Sequence, residues 1–127
     1  MRPANLFEAI ESGDAAALAA LLAADADVDE IDFHQYQATP LAHACDRGAT
    51  AMVQALLAAG AEPDAADADG QRPLHLALRH GIPALVQALI EAGANPFLRD
   101  RAGRCPADWA PAGTGRNAKA IAALLAV

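Results

Sequence analysis

The stretch DADGQRPLHLALRHGIPALVQALIEAGANP, residues 67–96, decides how this chain is read. It opens on an Asp- and Gly-rich turn and then places Pro73 at the head of an apolar run. A proline in the first helical turn costs no hydrogen bond, because that N–H has no intrahelical partner. Gly81 follows about two turns later, where a residue of positive φ closes a helix without a Cβ penalty. A second run, LVQALIEA, carries apolar residues at i, i+3 and i+4 spacing and ends at Gly93. The stretch therefore reads as turn, helix, turn, helix.

The same unit recurs along the chain. Pro40, Pro73 and Pro106 stand 33 residues apart, as do Gly48 and Gly81, and Gly60 and Gly93. The segments ALLAAGAEPD and ALIEAGANPF repeat in that register, and a looser copy, ALLAADADVD, precedes the first of them by 35 residues. A fixed period of this length is the mark of stacked repeats, each burying its apolar face only against its neighbours. Four units follow, at about 4–32, 33–66, 67–99 and 100–127, together forming one domain over 1–127. Thr39, just before Pro40, supplies a side-chain oxygen suited to an N-cap.

With TPLAHA at 39–44, RPLHLA at 72–77 and the glycine-closed helices on the page, the chain resembles the ankyrin repeat family. The resemblance implies an all-α solenoid of four helix-turn-helix units joined by protruding β-turn or hairpin fingers. It also implies protein binding through a concave face lined by the fingers and the exposed side of each first helix. Carried over residue by residue, it points in the fingers to Gln35, Tyr36, Asp69, Gln71, Arg101 and Arg104, with Ala38, Ala68 and Ala102 beside them. On the first helices it points to Asp46, Arg47, Arg79 and His80, with Glu11 and Ser12 at the N-terminal end. Tyr36, Arg47, Arg79 and Arg104 are the expected energetic anchors, because Tyr and Arg are enriched where interfaces draw their energy.

Departures from the pattern carry their own expectations. Arg72 replaces the usual threonine, and Asp25 stands where glycine closes the other second helices; Asp accepts the left-handed region better than most residues. The first finger, EIDFHQYQAT, is two residues longer than the second and has Gln37 at the glycine position. Trp109 falls on the last first-type helix, placed either under a cap or at the surface. The final helix, NAKAIAALLAV, offers mostly alanine on its outer face. That leaves room for weak end-to-end association of an otherwise monomeric protein.

His75 is the residue a search for chemistry meets first. A metal or catalytic histidine needs converging ligands, and His75 and His80 lie five apart on one helix, pointing to different faces. The resemblance implies instead that His75 hydrogen-bonds backbone groups at the start of its helix. Cys45 and Cys105 sit two repeats apart, whereas stacked helices are spaced about 8–10 Å and a disulfide needs Cα atoms within about 7 Å. Both read as buried thiols. No phosphate-binding loop, metal motif or nucleophile elbow is present, so the expectation is a non-enzymatic protein with neither cofactor nor metal.

Composition agrees. Aromatic residues make up 4% of the 127 residues, and alanine-rich helices must approach closely to build a core. Nine Lys and Arg against sixteen Asp and Glu leave a formal charge of −7. That charge disfavours nucleic acid and anionic membrane and matches a basic protein partner. The same charge motivates an alternative, an immunity-protein or antitoxin type of inhibitor of a basic enzyme or toxin. Separated cysteines and no long apolar run fit the cytoplasm, and the alanine content fits a high-GC bacterial genome.

Overall fold

The computed structural model describes residues 5–31, 38–67, 70–106 and 123. Six helices run through them in three antiparallel pairs: α1 (Leu6–Ser12) with α2 (Ala15–Ala23), α3 (Pro40–Asp46) with α4 (Thr50–Ala58), and α5 (Pro73–His80) with α6 (Pro83–Glu91). The first helices α1, α3 and α5 pack side by side in one row, and α2, α4 and α6 in a second. This is the two-row all-α solenoid that the repeat period implies.

The starts of α1, α2, α3 and α5 have local causes. Pro40 and Pro73 occupy the first turns of α3 and α5. Thr39 Oγ1 accepts the Ala42 N–H at 3.3 Å, and the Asn5 and Asp14 carbonyl and carboxylate oxygens cap α1 and α2 at 2.9 Å. Arg72, standing where α3 has its threonine, has no acceptor to offer. The Nδ1 of His75 turns back to take the Arg72 N–H at 3.0 Å, and an Arg72 guanidinium nitrogen donates to the Asp64 carbonyl at 2.9 Å. The ends follow the glycines, and Asp25 takes a φ of 62°, the left-handed value held otherwise only by glycine among the described residues.

The core lies between the two rows. Leu41, Leu74, Val53, Leu56, Leu85, Val86 and Leu89 are fully buried, and Ala9, Ala42, Ala44 and Ala77 fill the contacts along the first-helix row. Small side chains there let helices approach closely, which is how a chain so poor in aromatics closes its interior. Cys45 and Cys105 are buried thiols joined in no disulfide, and burial, with the Asp46 charge adding to it, pushes the Cys45 thiol pKa well up.

Two staples tie successive units along the other edge. Asp29 Oδ1 accepts the Glu62 N–H at 2.9 Å, and Asp64 Oδ1 accepts the Asn95 N–H at 3.0 Å. The third position of that ladder is Phe97, which is exposed and has no carboxylate to give. The expectations placed on the first-finger residues 32–37, on Ala68 and Asp69, on Trp109 and on the last helix apart from Ala123 concern positions outside the described residues. No helix among the described residues is long and apolar enough to cross a membrane.

Candidate functional site

The fingers fold by a rule repeated 33 residues on. In the second finger the Asp67 N–H donates to the Gln71 carbonyl at 2.9 Å, the Gly70 N–H returns to the Asp67 carbonyl at 3.0 Å, and Asp67 Oδ1 takes the Gln71 N–H at 3.0 Å. In the third, Asp100, Gly103 and Arg104 make the same three bonds at 2.8, 3.0 and 3.0 Å. Gly70 and Gly103 hold φ values of 76° and 80°, and a glycine at this point lets the hairpin turn tightly. The shared Asp-x-x-Gly spacing was present in the sequence as a signal for this turn. The first finger carries His34 and Gln37 at those two positions.

Asp100 is held inside its turn. Its Oδ1 accepts the Ala102 and Arg104 N–H groups, and the Arg104 N–H is the main cause that holds its carboxyl pKa below the usual value. Arg104 itself reaches outward, with a 3.6 Å ion pair to Asp100 Oδ2. Arg99 donates to the Gly103 carbonyl at 2.6 Å, and the Arg101 side chain lies over Gly70.

Along the first helices the polar ends face the same side and pair between units. Glu11 of α1 meets Arg47 of α3 at 3.3 Å and His43 Nε2 at 2.7 Å. Asp46 of α3 meets Arg79 of α5 at 3.4 Å, and Arg79 also donates to Gln71 at 2.6 Å. His80 spreads over Gly48 with its Nε2 at 2.7 Å from the Asp46 carbonyl. His43 sits against Phe7, ring centroids 5.9 Å apart, and burial is the largest influence on it, lowering its pKa against the opposing pull of Glu11.

Two clefts open between finger and helix row. One, of about 210 Å³, is lined by Ala38, Ala42, His43, Asp46, Asp67, Gln71, Leu76 and Arg79. The next, of about 420 Å³, is lined by Gln71, His75, Leu78, Arg79, Asp100, Arg104, Cys105 and Pro106. Gln71, His75, Arg79, Asp100 and Arg104 of the second are the 33-residue counterparts of Ala38, Ala42, Asp46, Asp67 and Gln71 of the first. They are successive copies of one groove.

The residues singled out from sequence fall as follows. Asp46, Arg47, Arg79 and His80 are exposed at the ends of α3 and α5, and Gln71, Arg101 and Arg104 stand on the fingers beside them. Gln35, Tyr36 and Asp69 lie outside the described residues. Ala38, expected at a finger, is buried in the core instead, because the chain has already turned inward there to present Thr39 as a cap. His75 is committed to scaffolding: Nδ1 accepts from Arg72 and Nε2 lies 3.1 Å from the Arg104 carbonyl. The partners of His43 and Arg72, Glu11 and the Asp64 carbonyl, lie across a unit boundary and had no signal within one repeat. Among the described residues no three His, Cys, Asp or Glu side chains gather as a metal site.

Comparison with known proteins gives the same frame. A model of ankyrin repeats in three copies matches residues 6–100. Among solved structures, the chain is similar to the ankyrin repeat domain of Bcl-3, described as a unique member of the IkappaB protein family. The identity is 28% and the TM-score 0.80, over 94% of this chain and 50% of that one. The chain thus spans about half the length of that domain. No curated protein matches significantly. Three stacked helix pairs, the second and third proline-started and 33 residues apart, together with the matching model, place this chain in the ankyrin repeat family.

Proposed function

We propose that the chain is a non-catalytic protein-interaction module, one domain of four units over 1–127, that binds a partner protein across the concave face formed by the fingers and the row of α1, α3 and α5. The observation that carries this is the division of labour at equivalent positions. Where the units pack through their buried faces, the residues are mostly alanine and leucine; at the outward ends of the row, Glu11, Asp46, Arg47, Arg79 and His80 are exposed and differ from unit to unit. A scaffold held by the first set leaves the second free to encode a partner. The contact set is Asp46, Arg47, Arg79 and His80 on the helices and Gln71, Arg101 and Arg104 on the fingers, joined by Gln35, Tyr36 and Asp69. His75, which a catalytic reading would need, is engaged in backbone bonds.

A second reading, an inhibitor of a basic enzyme or toxin in the cytoplasm, is supported by the −7 charge. Its complex would weaken steeply with salt. The main reading is tested by affinity capture from lysate of the cells that make the protein, using the natural chain, Tyr36→Ala, and the paired swap Asp46→Lys with Arg79→Glu. The swap keeps an ion pair between α3 and α5 and inverts the outward charge. Loss of the captured partner from a swapped protein that melts normally is the expected result; equal capture by all three forms contradicts a concave site.

A further inference from the structure

The formal charge of −7 averages over a strongly polarised chain. Residues 1–69 hold thirteen of the sixteen acidic side chains and two of the nine basic ones; residues 70–127 hold three and seven. The break falls across the concave face. On its N-terminal side each unit supplies a carboxylate to the next, Glu11 to Arg47 and Asp46 to Arg79. The third unit has Arg79 at that place, a cation where the first two units have a carboxylate.

The larger cleft collects the result. Arg79 lines it, bound on its N-terminal side to Asp46 and Gln71, with 55% of its side chain exposed. Arg104 lines it with 74% exposed. The carboxylate that also lines it, Asp100, is only 6% exposed, and its Oδ1 is used by two backbone N–H groups. The negative charge is turned inward and the two guanidiniums outward. Each guanidinium has five N–H donors in a planar fork matched to carboxylate, and the acceptors among the described residues engage only some of them. Beneath lie the buried apolar surfaces of Leu78, Cys105 and Pro106.

Resting on the reading of the concave face as the protein-binding surface, we infer that this cleft takes an acidic segment of the partner, one carboxylate side chain set between Arg79 and Arg104 and an adjacent apolar side chain over Leu78, Cys105 and Pro106. Charge-assisted bonds of this kind are the strong ones at an interface. A protein segment is favoured over a nucleic acid because the adjoining copy of the groove carries Asp46 and Asp67, which would repel a continuous phosphate backbone. The polarity also orients the partner, since an acidic segment bound here is repelled by the N-terminal units.

The probe is a random-peptide display library selected against the full chain, with selected peptides mapped by NMR shift changes. Enrichment in Asp and Glu beside an apolar residue is expected, with shifts centred on Leu78, Arg79 and Arg104. The pair Arg79→Gln with Arg104→Gln should weaken these peptides by about tenfold or more, and Glu91→Gln on the opposite helix row should leave them unchanged. The wild-type shift map stands alone if the paired variant fails to fold. Concave-face peptides that are neutral or basic overturn this inference and leave the interaction surface standing. Peptides mapping to the groove of Gln54, Leu57 and Gln87 between α4 and α6 overturn both. An empty selection, or displacement by single-stranded DNA at equal concentration, overturns the acidic-segment assignment.

Discussion

The Nε2 of His75 lies 3.1 Å from the carbonyl oxygen of Arg104, so one ring links the start of α5 to the finger that follows it. Its Nδ1 accepts the Arg72 N–H, which leaves the proton on Nε2 and makes that nitrogen the donor to Arg104. Replacing His75 with alanine removes both bonds and should cost about 1–3 kcal/mol, measured by urea unfolding. Addition of zinc should leave the melting temperature of the natural protein unmoved.

Gly48 and Gly13 make a controlled pair. Both hold a left-handed φ, 67° and 70°, but a Cβ on Gly13 meets nothing within 4 Å, whereas one on Gly48 meets the His80 ring at 3.0 Å. Gly13→Ala should cost about 1–2 kcal/mol, the backbone penalty alone. Gly48→Ala should cost more, because it also displaces His80 from the Asp46 carbonyl. Combined with His80→Ala, its excess over Gly13→Ala should vanish, a coupling that a double-mutant cycle reads directly.

The staples on the opposite edge act independently. Asp64→Ala frees the Asn95 N–H and Asp29→Ala the Glu62 N–H. Each should lower stability by roughly 1 kcal/mol, with the two effects adding, since they sit at different unit boundaries. Chemical denaturation of the three variants checks this.

Acid should destabilise the protein in two stages. Burial lowers the His43 pKa in the folded state. The unfolded chain therefore takes up its proton first, and stability falls as pH drops below about 6.5. Asp100 is depressed chiefly by the Arg104 N–H; its contribution is complete above about pH 3.9 and is lost as pH falls through the folded value. His43→Gln should flatten the first stage and Asp100→Asn the second, in unfolding curves taken across the acid range.

The frame of this molecule is written locally, which is why so much of it is legible. Pro40, Pro73, Thr39 and the glycines act within one turn of their own position, and the structure has them starting, capping and closing the helices as read. Asp25 replaces glycine at a left-handed residue for the reason its short side chain suggests. What escaped lies between units. Arg72 reaching Asp64, His43 against Glu11 and His80 over Gly48 depend on the stacking distance, which no single unit encodes. The proposed contact set was legible only as positions. Its inter-unit pairing, and the inward turn of Asp100 beside an outward Arg104, required the geometry of the finger.

The concave site is tested most directly by hydrogen–deuterium exchange on the chain alone and bound to the partner recovered by affinity capture. Added protection in the fingers at 67–71 and 100–104, and at the C-terminal ends of α3 and α5, is the expected result. Protection confined to α4, α6 and the loop at 92–98, with the fingers exchanging as in the free chain, would contradict it.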